Sequence, residues 1–254
     1  MKIRIAINGF GRIGRNLFRL LLNHPQIEVV AINDIADTMT MAHLLKYDSI
    51  HGVLPLEVKA DEKGININGN HIRFFHEKSI ANLDWKSLDI DYVIESTGKY
   101  KTFDELNAHI LAGAKKVILS APSEVETIKT VVLGVNETIL DGSETIISNA
   151  SCTTNNAAPM IQIIDQLCGI EQAYITTIHS FTTDQSLHDQ PHKDLRRARG
   201  ASQSIVPTTT GAAKALTKIF THLENKMGGC GIRVPVPDGS LTDITFNVKR
   251  AITI

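Results

Sequence analysis

Cys152 lies within SNASCTTNNAAP, between a serine and two threonines and directly ahead of the helix-like run TTNNAAPMIQIIDQL. A thiol with a pKa of about 8.5 is mostly protonated at neutral pH, but the first turn of a helix and a neighbouring imidazolium both stabilise the thiolate. His179, toward the end of the strand-like segment AYITTIHSF, is the candidate partner. The chain has ten histidines, so spacing alone does not bring this one to Cys152. The other thiols, Cys168 and Cys230, are read as small buried hydrophobes. With no metal-like C-x-x-C spacing among three cysteines, neither a zinc site nor a disulfide framework is expected.

A second constellation stands near the start. NGFGRIG places Gly9, Gly11 and Gly14 in G-x-G-x-x-G spacing between a strand-like and a helix-like segment. The first glycine permits a tight turn, the second lets a pyrophosphate approach the backbone, and the third lets helix pack on strand. Asp34 follows twenty residues after Gly14, at the tip of the next strand, where a ribose diol would be held. An acid there repels a 2′-phosphate, so NAD is expected over NADP, with Arg12 and Ile13 beside the pyrophosphate. A dinucleotide half followed by a reactive cysteine suggests hydride transfer from a thiol adduct of an aldehyde.

The elements that must position these groups alternate. Strands are expected over Lys2 to Asn8, Ile27 to Asn33, Asp91 to Ser96 and Lys116 to Ala121. Helices are expected over Arg12 to His24, with Ile13, Leu17 and Leu20 on one face, and around Met41 to Tyr47 and Phe103 to Gly113. Such alternation implies a parallel sheet with crossover helices. Leu54 to Phe75 reads as two strand-like pieces about the turn Asn68-Gly69. Past Cys152 the pattern changes to a helix reaching about Cys168, a strand over Ala173 to Phe181, a basic loop, a helix after Gly211 and two late strands. The fold class is therefore α/β, with a Rossmann-type dinucleotide-binding domain over 1–151 and an α+β domain over 152–254.

Composition sets outer limits. With 254 residues, 43% hydrophobic and 21% charged, the chain has the balance of a globular protein, and its formal net charge of −1 gives no global field toward nucleic acid or an anionic membrane. No apolar run has spanning length and MKIRIAING reads as a strand rather than a signal, so a cytoplasmic location is expected.

Taken together, INGFGRIGRN, SNASCTTN, HSFTTDQ, HKDLRRARGASQSIVPTTTGAAKA and RVPVPD resemble, in order and along the whole chain, phosphorylating glyceraldehyde-3-phosphate dehydrogenase. The resemblance implies Cys152 as nucleophile and His179 as its base, with glyceraldehyde 3-phosphate and inorganic phosphate as substrates. It adds Lys78, Ser96, Thr97, Gly98 and Ser120 to the NAD site. Thr182 and Arg233 match the residues for the substrate phosphate, and Ser151, Thr153, Thr210 and Gly211 those around the attacking phosphate. Thr210-Gly211 opens a helix-like run whose N–H groups suit an anion. Of Arg196, Arg197 and Arg199, in the segment resembling the family's subunit contact, one adds charge to the phosphate region, and Arg197 is taken as the candidate. A homo-oligomer, the family's tetramer, is implied.

Two departures bear on function. Asn156 stands where many family members carry a second cysteine, which removes a partner for oxidation but leaves the chemistry. The family also continues past KRAITI with a long helix, further strands and a segment resembling Y-D-N-E-W-G-Y. Without these, the second domain is expected to be incomplete, with exposed apolar surface, an unpaired strand edge and impaired hydride transfer. Two alternatives accompany the main reading: erythrose-4-phosphate dehydrogenase, against which Thr182 and TTTGAAKA argue, and a catalytically silent NAD-binding or interaction protein.

Overall fold

A computed structural model describes residues 2–251. The chain forms two compact units, one made of the residues up to Thr130 together with Thr138–Ala150, the other of Val131–Glu137 and the residues from Ser151 onward.

In the first unit, β1 (Ile3–Asn8) leads into α1 (Arg12–Leu21), β2 (Ile27–Asn33) and α2 (Thr38–Lys46). A small excursion follows: the ribbon β3 (Tyr47–Asp48) and β4 (Gly52–Val53), then β5 (Val58–Ala60), β6 (Gly64–Ile67) and β7 (Asn70–Phe75). β8 (Tyr92–Glu95), α3 (Phe103–Leu111), β9 (Lys116–Leu119), β10 (Lys129–Thr130) and β11 (Ile146–Ser148) complete it. Nine strands make one sheet in the order β10-β11-β9-β8-β1-β2-β7-β6-β5. Its strands from β10 to β7 run parallel, and β7, β6 and β5 pair antiparallel.

A parallel sheet with helices on its faces must be apolar on both sides, and β1 is. Successive side chains point to opposite faces, so Ile5 and Ile7 enter a cluster with Phe10, Phe18, Ile32 and Leu45. Ala6 enters the other, with Trp85, Ile90, Val93, Leu106 and Leu119. The expected face of α1 is corrected here: Ile13 and Leu20 are 56% and 79% exposed, while Gly14, Arg15 and Phe18 are buried and Leu17 and Leu21 pack at the margin. The close approach of Gly14 to the preceding turn sets the rotation of the helix: a Cβ on Gly14 would lie 2.2 Å from Gly9 O. That contact outweighs the burial of Ile13. The Leu54 to Phe75 region contains three strands rather than two.

In the second unit, α4 (Cys152–Cys168) precedes β12 (Ile170–Ser180), β13 (Val206–Thr208), the short α5 (Ala212–Thr217), β14 (Met227–Val234) and β15 (Leu241–Val248). Four strands form a mixed sheet in the order β13-β14-β12-β15. β12 and β14 are parallel and in register from Ala173↔Met227 to Ser180↔Val234, which sets His179 directly beside Arg233. β15 is an edge strand of this sheet, with Leu241 exposed.

Candidate functional site

The first unit carries a cavity of about 230 Å³ lined by Gly9, Gly11, Asp34, Lys78, Ser96 and Thr97, together with Asn8, Asn33, Ile35, Glu77, Ile80, Lys99 and Tyr100. It lies at the carboxyl ends of β1, β2 and β8, where strand order departs to either side of β1, the place such sheets bind ligands. The three glycines differ in their surroundings. Gly9 has φ +93°, and a Cβ there would stand 2.6 Å from Thr97 N. Gly11, the residue before α1, has nothing within 4 Å of a Cβ, so a side chain there would project into open space. Asp34 anchors the tip of β2: Oδ2 accepts from Phe10 N at 2.7 Å and Oδ1 from Ala36 N at 3.0 Å. Each oxygen keeps lone-pair capacity for a diol.

Ser96 closes the turn from the other side, its Oγ donating to Gly9 O at 2.7 Å. Arg12, Ile13, Gly14, Gly98 and Ser120 do not line the cavity. The Arg12 guanidinium turns to Asp48, with Nη1 to Oδ2 2.5 Å, and Ser120 N donates to Glu95 O, joining β8 to the end of β9. Asn8, Asn33 and Glu77 escaped the sequence reading. Asn8 and Asn33 are the last residues of β1 and β2, so their position at carboxyl ends of parallel strands was the available signal.

The second unit brings Cys152 and His179 together. Ser151 caps α4, its Oγ accepting from Thr154 N at 3.1 Å, which leaves exposed Cys152 as the first residue of the helix. Cys152 Sγ lies 3.4 Å from His179 Nε2. That hydrogen bond is the main reason the thiol is lowered to about 7, against the opposing effect of burial and with help from Thr153. His179 is raised in turn, chiefly by the same bond, while burial and the charge of Arg233 oppose it. A thiolate facing an imidazolium is the state these shifts favour.

On the far side of the ring, His179 Nδ1 is 2.7 Å from Ser180 O and 2.6 Å from Arg233 Nη1, which itself donates to Ser180 O at 3.0 Å. Burial lowers Arg233 most, and the charge of Arg197 adds to this, so two guanidiniums share one region. Arg197 Nε donates to Thr208 Oγ1 at 2.8 Å, Nη1 to Asp184 Oδ2 at 2.5 Å and Nη2 to Thr209 O at 3.3 Å. Arg196 pairs instead with Asp194, and Arg199 with Asp189. Thr182 is exposed in the turn after β12, its carbonyl accepting from Gln185 N. Thr210 Oγ1 accepts from Ala212 N at 3.2 Å, just past exposed Gly211. Asp184 and Thr208, which hold Arg197, were not singled out in the sequence; only long-range pairing reveals them. Among the described residues there is no group of three or more metal-ligating side chains, and no helix is long and apolar enough to cross a membrane.

Residues 3–103 match the family described as "Glyceraldehyde 3-phosphate dehydrogenase, NAD binding domain", and residues 151–254 match its "C-terminal domain". The chain belongs to the glyceraldehyde-3-phosphate dehydrogenase family. Over its full length it is 52% identical to "Glyceraldehyde-3-phosphate dehydrogenase 2" of Streptomyces avermitilis, covering 76% of that protein. It is 50% identical to "Glyceraldehyde-3-phosphate dehydrogenase 2" of Bacillus subtilis, covering 74%, and 48% identical to "Glyceraldehyde-3-phosphate dehydrogenase" of Geobacillus stearothermophilus, covering 76%. The match to the family's NAD-binding domain thus lies within the unit that holds the glycine turn and Asp34. Cys152, His179 and Arg233 fall in the match to its C-terminal domain.

Proposed function

We propose that this chain catalyses the NAD-dependent oxidative phosphorylation of glyceraldehyde 3-phosphate to 1,3-bisphosphoglycerate, the glycolytic reaction, through a thioester on Cys152. The observation that carries the reading is the 3.4 Å contact of Cys152 Sγ with His179 Nε2, in a chain of this family. The division of labour is a dinucleotide-binding domain over 1–151 and a catalytic domain over 152–254. The cleft of the first unit fits NAD, because open space at Gly11 admits a pyrophosphate to the backbone and Asp34 offers acceptors to a ribose diol.

The Cys152 thiolate adds to the aldehyde carbon, and His179 Nε2–H supplies the proton that the new hydroxyl acquires. His179 then takes that proton back as the carbon is oxidised and the thioester forms. NAD supplies the hydride acceptor. Inorganic phosphate attacks the thioester carbon, the C–S bond breaks, and the thiolate returns with product. Arg233 and Thr182 hold the substrate phosphate, since a guanidinium and a hydroxyl donate to a dianion. Ser151, Thr153, Thr210 and Gly211 receive the attacking phosphate, with Arg197 adding charge beside Thr208 and Thr209. Exposed Leu187, Leu195 and Ile205, on the loop between β12 and β13, support a homo-oligomer formed through that loop; its size, the family tetramer, and its cytoplasmic location belong to the family reading.

The test is direct. Mixing with glyceraldehyde 3-phosphate and NAD without phosphate is expected to leave an acyl adduct on the Cys152 peptide by mass spectrometry. Added phosphate is expected to discharge it. An adduct on Cys168 or Cys230, or none, overturns the reading.

A further inference from the structure

Behind the wall of the dinucleotide cleft lies a polar group that the chemistry above does not use. Glu95, the last residue of β8, and His109, on α3, are both 0% exposed, as is Trp85, the only tryptophan in the chain. An ionised carboxylate is costly to bury unless its lone pairs are met, and here four donors meet them. Oε1 accepts from Thr97 N at 2.8 Å and from Thr97 Oγ1. Oε2 accepts from Asn8 Nδ2 at 2.5 Å and faces His109 Nε2 at 3.2 Å.

The tautomer of His109 follows from its other neighbour. Trp85 Nε1 has only a proton to offer and lies 3.0 Å from His109 Nδ1, so Nδ1 accepts and Nε2 carries the hydrogen that points to Glu95. On the other side the chain of bonds continues through Asn33 Nδ2 to Asn8 Oδ1 at 2.7 Å, and Glu77 N to Asn33 Oδ1 at 2.9 Å. Thr97, Asn8, Asn33 and Glu77 line the cleft, whereas Glu95, His109 and Trp85 do not. Thr97 N is also the atom that a Cβ on Gly9, the first glycine of the turn, would meet first, at 2.6 Å.

We propose that Glu95, oriented by His109 and Trp85, is a positioning residue for the dinucleotide cleft: its carboxylate pins the Thr97 backbone against the Gly9 turn and ties the ends of β1, β2 and β8 into one preformed wall. A hydrophobic residue of similar size would fill the space, but it would leave Thr97 N, Asn8 Nδ2 and the His109 ring without acceptors, and the wall without a fixed shape. This inference rests on the reading of the cleft as an NAD site.

The experiment uses the full chain with calorimetric titration of NAD, which returns both affinity and the fraction of competent sites. Glu95→Gln puts an amide N–H₂ against one pair of donors and is expected to weaken NAD by about tenfold or more. Alkylation of Cys152, which lies in the other unit, is expected to stay at the wild-type rate. The His109 pair separates positioning from packing and decides the matter if Glu95→Gln does not fold. His109→Gln keeps an N–H for Glu95 and is expected to bind within about threefold of wild type, whereas His109→Leu, of similar volume, is expected to lose about tenfold. Thr97 N–H is further expected to exchange slowly with solvent in wild type and quickly in His109→Leu. If wild type binds NAD and Glu95→Gln and both His109 variants bind equally per competent site, with melting temperature alone reduced, the proposal fails and the cleft reading stands. If wild type itself does not bind NAD, both fail together.

Discussion

The guanidinium of Arg233 reaches the imidazole nitrogen that faces away from the thiol: its Nη1 lies 2.6 Å from His179 Nδ1. Parallel register between β12 and β14 makes them neighbours. The same nitrogen lies 2.7 Å from Ser180 O, which would accept a proton carried there. A guanidinium has only donors, so Arg233 favours Nδ1 as acceptor while Ser180 O favours the imidazolium. The bond to Cys152 tips this opposition, and His179 is raised toward the imidazolium, the form that gives a proton in the proposed mechanism.

Replacing Arg233 by Leu is expected to raise the His179 pKa, followed by NMR of the ring, because an opposing positive charge is removed. Iodoacetamide, which carries no phosphate, is expected to keep reacting with Cys152. Oxidation of glyceraldehyde 3-phosphate is expected to fall by about 10–100-fold more than that of glyceraldehyde, the worth of one charged hydrogen bond. Equal losses on both aldehydes would remove Arg233 from the phosphate site.

The pH dependence of Cys152 follows from its lowered value. With a pKa of about 7, its alkylation rate is expected to rise through neutral pH and level off above it. Cys168, buried, is expected to lag throughout. In His179→Asn the main cause of the shift is gone, so the midpoint is expected to move up toward the ordinary thiol value of about 8.5. The linked stability has the same sign: the contribution is complete above the unfolded-state value and is lost as pH falls through about 7. A midpoint unchanged in the variant would contradict the pairing.

Gly9 and Gly11 are two residues apart yet should fail differently. Gly9→Ala combines a positive φ with a Cβ 2.6 Å from Thr97 N, so stability is expected to drop by about 1–3 kcal/mol. A Cβ at Gly11 meets nothing within 4 Å, so in Gly11→Val the melting temperature is expected to hold while NAD affinity falls by about tenfold or more. Chemical denaturation and calorimetry measure the two quantities separately. Tight NAD binding by Gly11→Val would move the pyrophosphate away from this turn.

What the sequence made readable was local. β2 has the bounds its apolar run predicts, and α4 begins at Cys152 because Ser151 is a strong cap and ends at Cys168, where Gly169 turns the chain out of the helix. The rotation of α1 was not readable from its leucines, since the Gly14 contact with the Gly9 turn decides it. The short β5 and β6 depend on antiparallel pairing more than on their own composition. Cys152 and His179 were each marked by their flanking residues, but their 3.4 Å separation arises from the placing of α4 against β12. Arg197 with Asp184 and Glu95 with His109 are likewise products of tertiary pairing. The excursion of Val131–Glu137 into the second unit has no local signal at all.

Asp34 offers the last test, of cofactor choice. Its two oxygens already hold Phe10 N and Ala36 N, at 2.7 Å and 3.0 Å, so the carboxylate is fixed rather than swinging at the tip of β2. In the proposed NAD site this fixed negative charge stands beside the ribose, where it would repel a 2′-phosphate and accept from a 2′-hydroxyl. Asp34→Asn keeps one acceptor oxygen and removes the charge. NAD is therefore expected to weaken modestly while NADP improves, shifting their affinity ratio by about tenfold or more at low ionic strength. At higher salt, screening over about 10 Å should shrink the wild-type preference but scarcely change that of the variant. Titrating both dinucleotides against both proteins at two salt concentrations separates charge repulsion from lost hydrogen bonding. Equal NAD and NADP affinity in the wild-type chain would show that Asp34 does not set the choice.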